Sequence, residues 1–284
     1  MTFPVVDAHH HLWDPARASY PWMTADLDPI RRRFGVEDLV PLLDAAGVAG
    51  TVLVQTRSSS AESREFLATA AGTPRIAGVV AWTDLTSQGV DDDIAALRDA
   101  PGGDRLVGIR HQVHDEDDAA WLLRADVRRG LLAVERAGLV YDLLVRAREM
   151  PVALEVVRAM PDLRFVVDHL AKPTIVDGAM SPWSELLEPF GELPNVTCKL
   201  SGLVTEADWS SWTIADLEPY VDRALELFGP DRMLFGSDWP VSLVAAPYQT
   251  VFDTAQALLA GLSGDERAAV MGGTAVEVYD LRID

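Results

Sequence analysis

One cysteine, Cys198, stands among 284 residues. That excludes an intramolecular disulfide and suits a reducing compartment, so a cytoplasmic location is expected. No run of about 18 apolar residues occurs, so no membrane-spanning helix is expected. The first residues lack the basic segment and apolar stretch of a signal peptide. Positive charge is scarce too: 24 Lys and Arg face 44 Asp and Glu, a net charge of −20. Phosphate backbones would be repelled, and the short run Arg31-Arg32-Arg33 reads as a solvated face. Nucleic acid is therefore not an expected partner. Nor is there a low-complexity tract or an evident linker.

What is abundant is apolar surface. At 49 % hydrophobic residues the chain can bury a large core, and its length suits one α/β barrel of about 250 residues. Short β-branched runs at residues 4–9, 51–55, 76–82, 106–110, 140–145, 164–168, 196–200 and 233–237 predict eight strands. Amphipathic stretches at 36–46, 60–71, 91–100, 122–137, 146–160, 183–190, 214–228 and 249–259 predict helices between and after them, and 265–270 opens a short terminal helix. Several strands are continuously apolar, as parallel strands covered on both faces should be. Gly47, Gly138, Pro161, Pro194 and Gly229 mark helix ends. No GxGxxG follows the first strand and no composition break divides the chain. A single (β/α)8 TIM barrel over residues 1–284 is therefore expected, in preference to an open doubly wound sheet. Residues 12–35, long and aromatic, read as a loop over the barrel mouth.

In such barrels chemistry gathers at the C-terminal ends of the strands. All six histidines fall there: His9, His10 and His11 after strand one, His111 and His114 after strand four, His169 after strand six. Strand alternation sends His9 and His11 inward together and His10 away. Two imidazoles so spaced suit a divalent transition metal, or equally a polar strand end with hydrogen-bonded histidines. His169 ends an apolar strand and is the candidate third imidazole. Asp238 ends the last strand, where it can ligate a metal or accept a proton from water. Arg110, at the end of strand four, offers a bidentate carboxylate clamp. Lys172 suits an anion or plain solvent, and Lys199 shares a strand face with Ser201. Tyr20, Trp22, Trp82 and Trp239 offer apolar walls with polar handles. Gln55, Arg57 and Asp142 carry weaker signals. No GxSxG elbow supports a serine nucleophile, and Cys198 has the parity of inert packing.

The segments Asp7-Ala8-His9-His10-His11-Leu12-Trp13-Asp14, Tyr20-Pro21-Trp22, Gly108-Ile109-Arg110-His111, Asp168-His169-Leu170-Ala171-Lys172-Pro173, Lys199-Leu200-Ser201-Gly202 and Phe235-Gly236-Ser237-Asp238-Trp239-Pro240 occur in this order. Together they resemble the amidohydrolase superfamily, and within it the amidohydrolase-2 branch of sugar lactonases of the L-fuconolactonase and L-rhamnonolactonase type. The resemblance implies that His9, His11, His169 and Asp238 converge on a reacting carbonyl, with Asp238 and His169 as catalytic groups. It implies one divalent metal, zinc first, held by His9, His11, His169 and Asp238, or metal-free catalysis by the same residues. Arg110, His111, Lys172, Lys199, Tyr20 and Trp22 would contact the small-molecule substrate. The family pattern has glycine where Ala171 stands, which bears on the loop carrying Lys172. No lysine or glutamate stands ready to bridge a second metal.

The expected reaction is opening of a lactone by water, with Asp238 as general base. The alternative is a metal-dependent decarboxylase of the aminocarboxymuconate-semialdehyde type, told apart by release of carbon dioxide. A homo-oligomer is compatible with the sequence.

Overall fold

The computed structural model describes residues 4–283. Eight parallel strands form one sheet in chain order: β1 Val6–His10, β2 Gly50–Val54, β3 Ile76–Ala81, β4 Leu106–His111, β5 Val140–Leu143, β6 Phe165–Val167, β7 Val196–Leu200 and β8 Met233–Phe235. Helices α1 Val36–Ala46, α2 Ser60–Ala71, α3 Val90–Arg98, α4 Ala125–Arg136, α5 Met150–Ala159, α6 Trp183–Gly191, α7 Leu203–Glu206, α8 Ile214–Phe228 and α9 Tyr248–Leu258 follow the strands. Short helices α10 Gly264–Ala268 and α11 Thr274–Tyr279 end the chain. The fold is the expected (β/α)8 barrel.

Closure rests on few bonds. β8 ends at Phe235, yet a parallel bridge joins His10 to Trp239 beyond it. The Asp238 amide donates to the His9 carbonyl at 2.8 Å, and the His11 amide to the Trp239 carbonyl at 2.7 Å. These bonds lock the end of the last strand against the first, and they join two segments that carry candidate site residues.

Two apolar layers hold the sheet. The outer one packs strand residues such as Leu53, Ile109, Tyr141, Phe165 and Phe235 against the helices. The inner one fills the barrel with Val6, Ala8, Val52, Val54, Val80, Val140, Val166 and Leu234, as small barrels require. Its floor is closed by Ala275 and Tyr279 of α11.

The register of β1 on β2 slips between Asp7 and His10. A slip of this kind re-aims side chains at a barrel rim. Here Asp7 meets Tyr248 of α9, while His9, two residues on, meets Lys199 of β7.

Candidate active site

β1 delivers His9 and His11 to one place: their Nε2 atoms stand 3.1 Å apart. His10 points elsewhere, to the Thr51 hydroxyl at 2.9 Å, as strand alternation predicts. His11 Nδ1 donates to the Val54 carbonyl at 2.8 Å. Arg110 Nη1 stands 3.3 Å from His9 Nε2, a donor facing that nitrogen. Asp238 Oδ1 lies 3.5 Å from His11 Nε2 and 3.9 Å from His9 Nε2.

His169 joins them with its ring centre 4.5 Å from that of His9. β6 stops at Val167 because the next residues turn left-handed: His169, Leu170, Ala171 and Lys172 have φ of 54°, 50°, 58° and 52°. Each such L-residue costs about 1–2 kcal/mol, so the turn persists only where it is tied down. Trp183 Nε1 donates to the Leu170 carbonyl at 2.6 Å, and His169 Nδ1 shares a 2.7 Å hydrogen bond with Ser201 Oγ. Lys172 ion-pairs with Glu206, which also takes Arg146 at 3.2 Å.

Burial lowers the His9 imidazole well below its ordinary range and brings His169 down to about 4, so both rings are neutral at pH 7. Burial alone would raise the Asp238 carboxyl. The nearby His169, with the His11 contact and Lys172, outweighs it and keeps Asp238 ionised.

Below the rim lies a buried charge layer. Lys199, fully buried, reaches Asp142 Oδ2 at 2.7 Å, Asp168 Oδ1 at 2.8 Å and His9 Nδ1 at 3.2 Å. Arg110 donates to Asp168 Oδ2 at 2.8 Å and to both oxygens of Gln55. Asp168 is held well below the usual carboxylate range: burial opposes this, and Lys199, His9 and Arg110 outweigh it. Such a layer is tolerable in a barrel interior only because each charge is paired and hydrogen-bonded.

The expected residues thus fall into two groups. His9, His11, His169 and Asp238 meet at one point. Lys199 and Arg110 stand on β7 and β4 as the sequence puts them, buried beneath the histidines, with donors engaged by carboxylates and Gln55. Lys172 is spent on Glu206. His111 is turned aside, accepting from Trp82 Nε1 at 3.0 Å, bonded to Glu116 at 2.7 Å and stacked on Trp121. Within residues 12–35, Trp22 Nε1 donates to the Thr56 carbonyl at 2.9 Å, just past β2, and Tyr20 packs on Trp13. Sequence reasoning missed Glu206, Tyr279 and the anchoring by Asp7. Only the third carried a signal, an acid two residues before His9.

Two overlapping triads can hold a metal: His9, His11 and Asp238, and His9, Asp168 and His169, each with ligand atoms within 4.8 Å of one another. The first fits better, because Asp168 already serves Lys199 and Arg110. His9 and His11 bring ring nitrogens together at 3.1 Å, near the separation of about 3.3 Å that two tetrahedral zinc ligands would show. Two ring nitrogens at that separation share a hydrogen bond or flank a cation.

The sequence signature described as amidohydrolase matches residues 6–281. The chain belongs to this family. An L-fucono-1,5-lactonase of Burkholderia multivorans is 38 % identical over 288 residues, covering 97 % of this chain and 96 % of the relative. An L-rhamnono-gamma-lactonase of Scheffersomyces stipitis is 25 % identical over 228 residues, covering 69 % and 66 %. A solved Burkholderia multivorans amidohydrolase with bound zinc superposes with a TM-score of 0.93 at 36 % identity, covering 98 % of this chain and all of that one. Family membership and the donor geometry agree on a metal-capable rim.

Proposed function

We propose that this amidohydrolase opens a lactone by adding water to its ring carbonyl. The observation that carries the reading is Asp238: an ionised carboxylate, all but buried at the rim, 3.5 Å from a ring nitrogen of His11. A carboxylate so placed accepts a proton from water as the water attacks. It then returns that proton to the ring oxygen, which leaves as the hydroxyl of the opened acid. His169, neutral and fixed by Ser201, stands beside the attacked carbon to orient its oxygen. His9, His11 and Asp238 would hold a zinc ion, which when bound polarises the carbonyl and acidifies water.

The charge pattern supports an uncharged, hydroxylated lactone over a carboxylated one. Arg110, Lys199, Lys172, Arg146 and Arg57 are each paired with a carboxylate. A cavity of about 520 Å³ beside the rim is lined by Trp22, Arg57, Ser59, Gln112, Asp115 and Glu116, groups suited to hydroxyls. We place residues 12–35 over this mouth, with Trp22 as the wall. The full-length similarity to an L-fucono-1,5-lactonase supports a sugar lactone of that size.

A pH-indicator screen of neutral aldonolactones and carboxylated lactones, with and without chelator, tests the reading. Acid release from a neutral lactone without carbon dioxide, lost on chelation, restored by zinc and abolished in Asp238→Asn, is expected. Near-wild-type turnover in Asp238→Asn would remove its assigned role, and evolution of carbon dioxide would replace hydrolysis with decarboxylation.

A further inference from the structure

Tyr279, the last residue of α11, stands at the barrel floor, yet its hydroxyl reaches inside. It lies 2.8 Å and 2.9 Å from the two oxygens of Asp142. Asp142 Oδ2 in turn accepts from Lys199 Nζ, and Lys199 touches both Asp168 and His9 Nδ1. The Lys199 ammonium also sits 5.6 Å above the Tyr279 ring. All five residues are buried to within 3 %. A continuous column of polar contacts therefore runs from the C-terminal helix up the barrel to a histidine of the rim. Its members come from α11, β5, β7, the turn just past β6, and β1, so no single element could hold the arrangement alone.

The energetics favour a shared rather than a local role. An ammonium buried in a barrel is costly unless it is paired. Lys199 donates to Asp142 and ion-pairs with Asp168 Oδ1 at 2.8 Å, the oxygen that also lies 3.4 Å from His9 Nδ1. Asp142 has two oxygens and one cation, so its remaining acceptor capacity must be met from below. Among the described residues Tyr279 does so. The tyrosine is therefore more than a floor plug: its ring packs with Ala275 and Leu281, and its hydroxyl completes the ion pair.

We propose that Tyr279 is a positioning residue for His9, acting through Asp142 and Lys199, so that the C-terminal helix sets the geometry of the rim. The proposal rests on the reading of that rim as a hydrolytic site. Without the hydroxyl, Asp142 retains Lys199 alone among its described side-chain partners. The ammonium shifts toward it, away from Asp168 Oδ1 and His9 Nδ1, and the Asp168–His9 contact at 3.4 Å that helps to hold the ring shifts with it.

Tyr279→Phe keeps the ring and removes only the hydroxyl. We expect kcat to fall about tenfold, as for other outer partners of site histidines, with KM within about twofold. The His9 ring-nitrogen NMR signals, assigned through His9→Gln, should move in Tyr279→Phe. Asp142→Asn should act in the same direction. The pH profile gives a third readout. Burial pushes the Asp142 carboxyl up to about 6, against Lys199 and Tyr279 and with help from Asp168, and those are the charged and titratable groups facing it. Loss of the Tyr279 donor raises it further, so the acid limb of activity should move to higher pH. Unchanged kcat with unmoved His9 signals would overturn the proposal. So would a loss of activity that only tracks the unfolded fraction. A wild-type protein that opens no lactone, while Tyr279→Phe still shifts the His9 signals, would sink the hydrolytic reading and leave the column standing.

Discussion

Asp7 Oδ1 accepts the Ser237 amide at 2.8 Å, so a residue of the first strand holds the segment just past the last. The same oxygen takes the His9 amide at 3.2 Å, and Oδ2 takes the Tyr248 hydroxyl at 3.1 Å. One carboxylate thus ties together the backbone that carries His9 and the backbone that carries Asp238. The register slip in β1 makes this possible, because it turns Asp7 out toward α9 while His9 stays inside.

Removing that tie should cost both stability and rate. Asp7→Ala leaves two buried amides and a hydroxyl without partners, at about 1–3 kcal/mol each, partly offset by the desolvation the carboxylate no longer suffers. We expect a net loss of about 2–4 kcal/mol in urea unfolding, with reduced kcat where the variant is still folded. Asp7→Asn keeps a carbonyl for both amides and should lose much less. Equal effects from the two variants would contradict this account.

Much of this architecture is legible in the sequence, and the exceptions have physical causes. β7 spans residues 196–200 as expected, because its run is bounded by Pro194-Asn195 and ends in Ser201-Gly202. β6 and β8 are shorter than expected, since the backbone leaves the extended region at His169 and at Asp238, whose φ is 56°. That His9 and His11 share a face follows from strand alternation, whereas that this face is the inner one depends on the register slip after Asp7. The fate of the cations does not follow from alternation. Lys199 and Arg110 sit at strand ends and read as substrate contacts, whereas Asp142 and Asp168, their partners, come from other strands. Glu206 lies in a four-residue helix whose placement beside Lys172 depends on the left-handed turn, which no local propensity announces.

That turn offers a stability test. Ala171 holds φ of 58° without glycine's freedom. Ala171→Gly should relieve about 1–2 kcal/mol of strain and cost about 0.5–1 kcal/mol in unfolded-chain entropy, a net gain of up to about 1.5 kcal/mol. A small rise in melting temperature with unchanged kcat is expected. A clear fall would mean that the alanine methyl contributes more in packing than the backbone loses in strain.

His114 should make the protein acid-sensitive. Burial, with Lys172, Arg146 and Arg110 nearby, brings its imidazole down to about 3. The unfolded chain takes up a proton near pH 6.5 and the folded one does not, so stability is full above that pH and declines as pH falls toward 3. Between pH 6.5 and 5 the share of this one group is roughly 2 kcal/mol. His114→Gln should make that limb shallower by this one group's share in unfolding experiments at pH 7, 6 and 5, leaving the part due to His9 and His169. Parallel curves for variant and wild type would show that the folded protein accommodates the charge.

Gly202 is where a single methyl should silence the site. Its φ is +65°, and a Cβ there would stand 2.6 Å from His169 Nδ1 and 3.2 Å from Asp238 Oδ2. That space already holds the His169–Ser201 hydrogen bond, so the ring cannot retreat without losing it. Displacement by a fraction of an ångström at the groups assigned to proton transfer and carbonyl orientation should lower kcat/KM by about a hundredfold or more. The fold should survive, because Gly202 lies after β7 at the rim and its neighbours across the gap are side chains. Circular dichroism and melting would show a folded protein, and lactone turnover would show the loss. Full activity in Gly202→Ala would mean that His169 can move freely, and would remove it from the catalytic group.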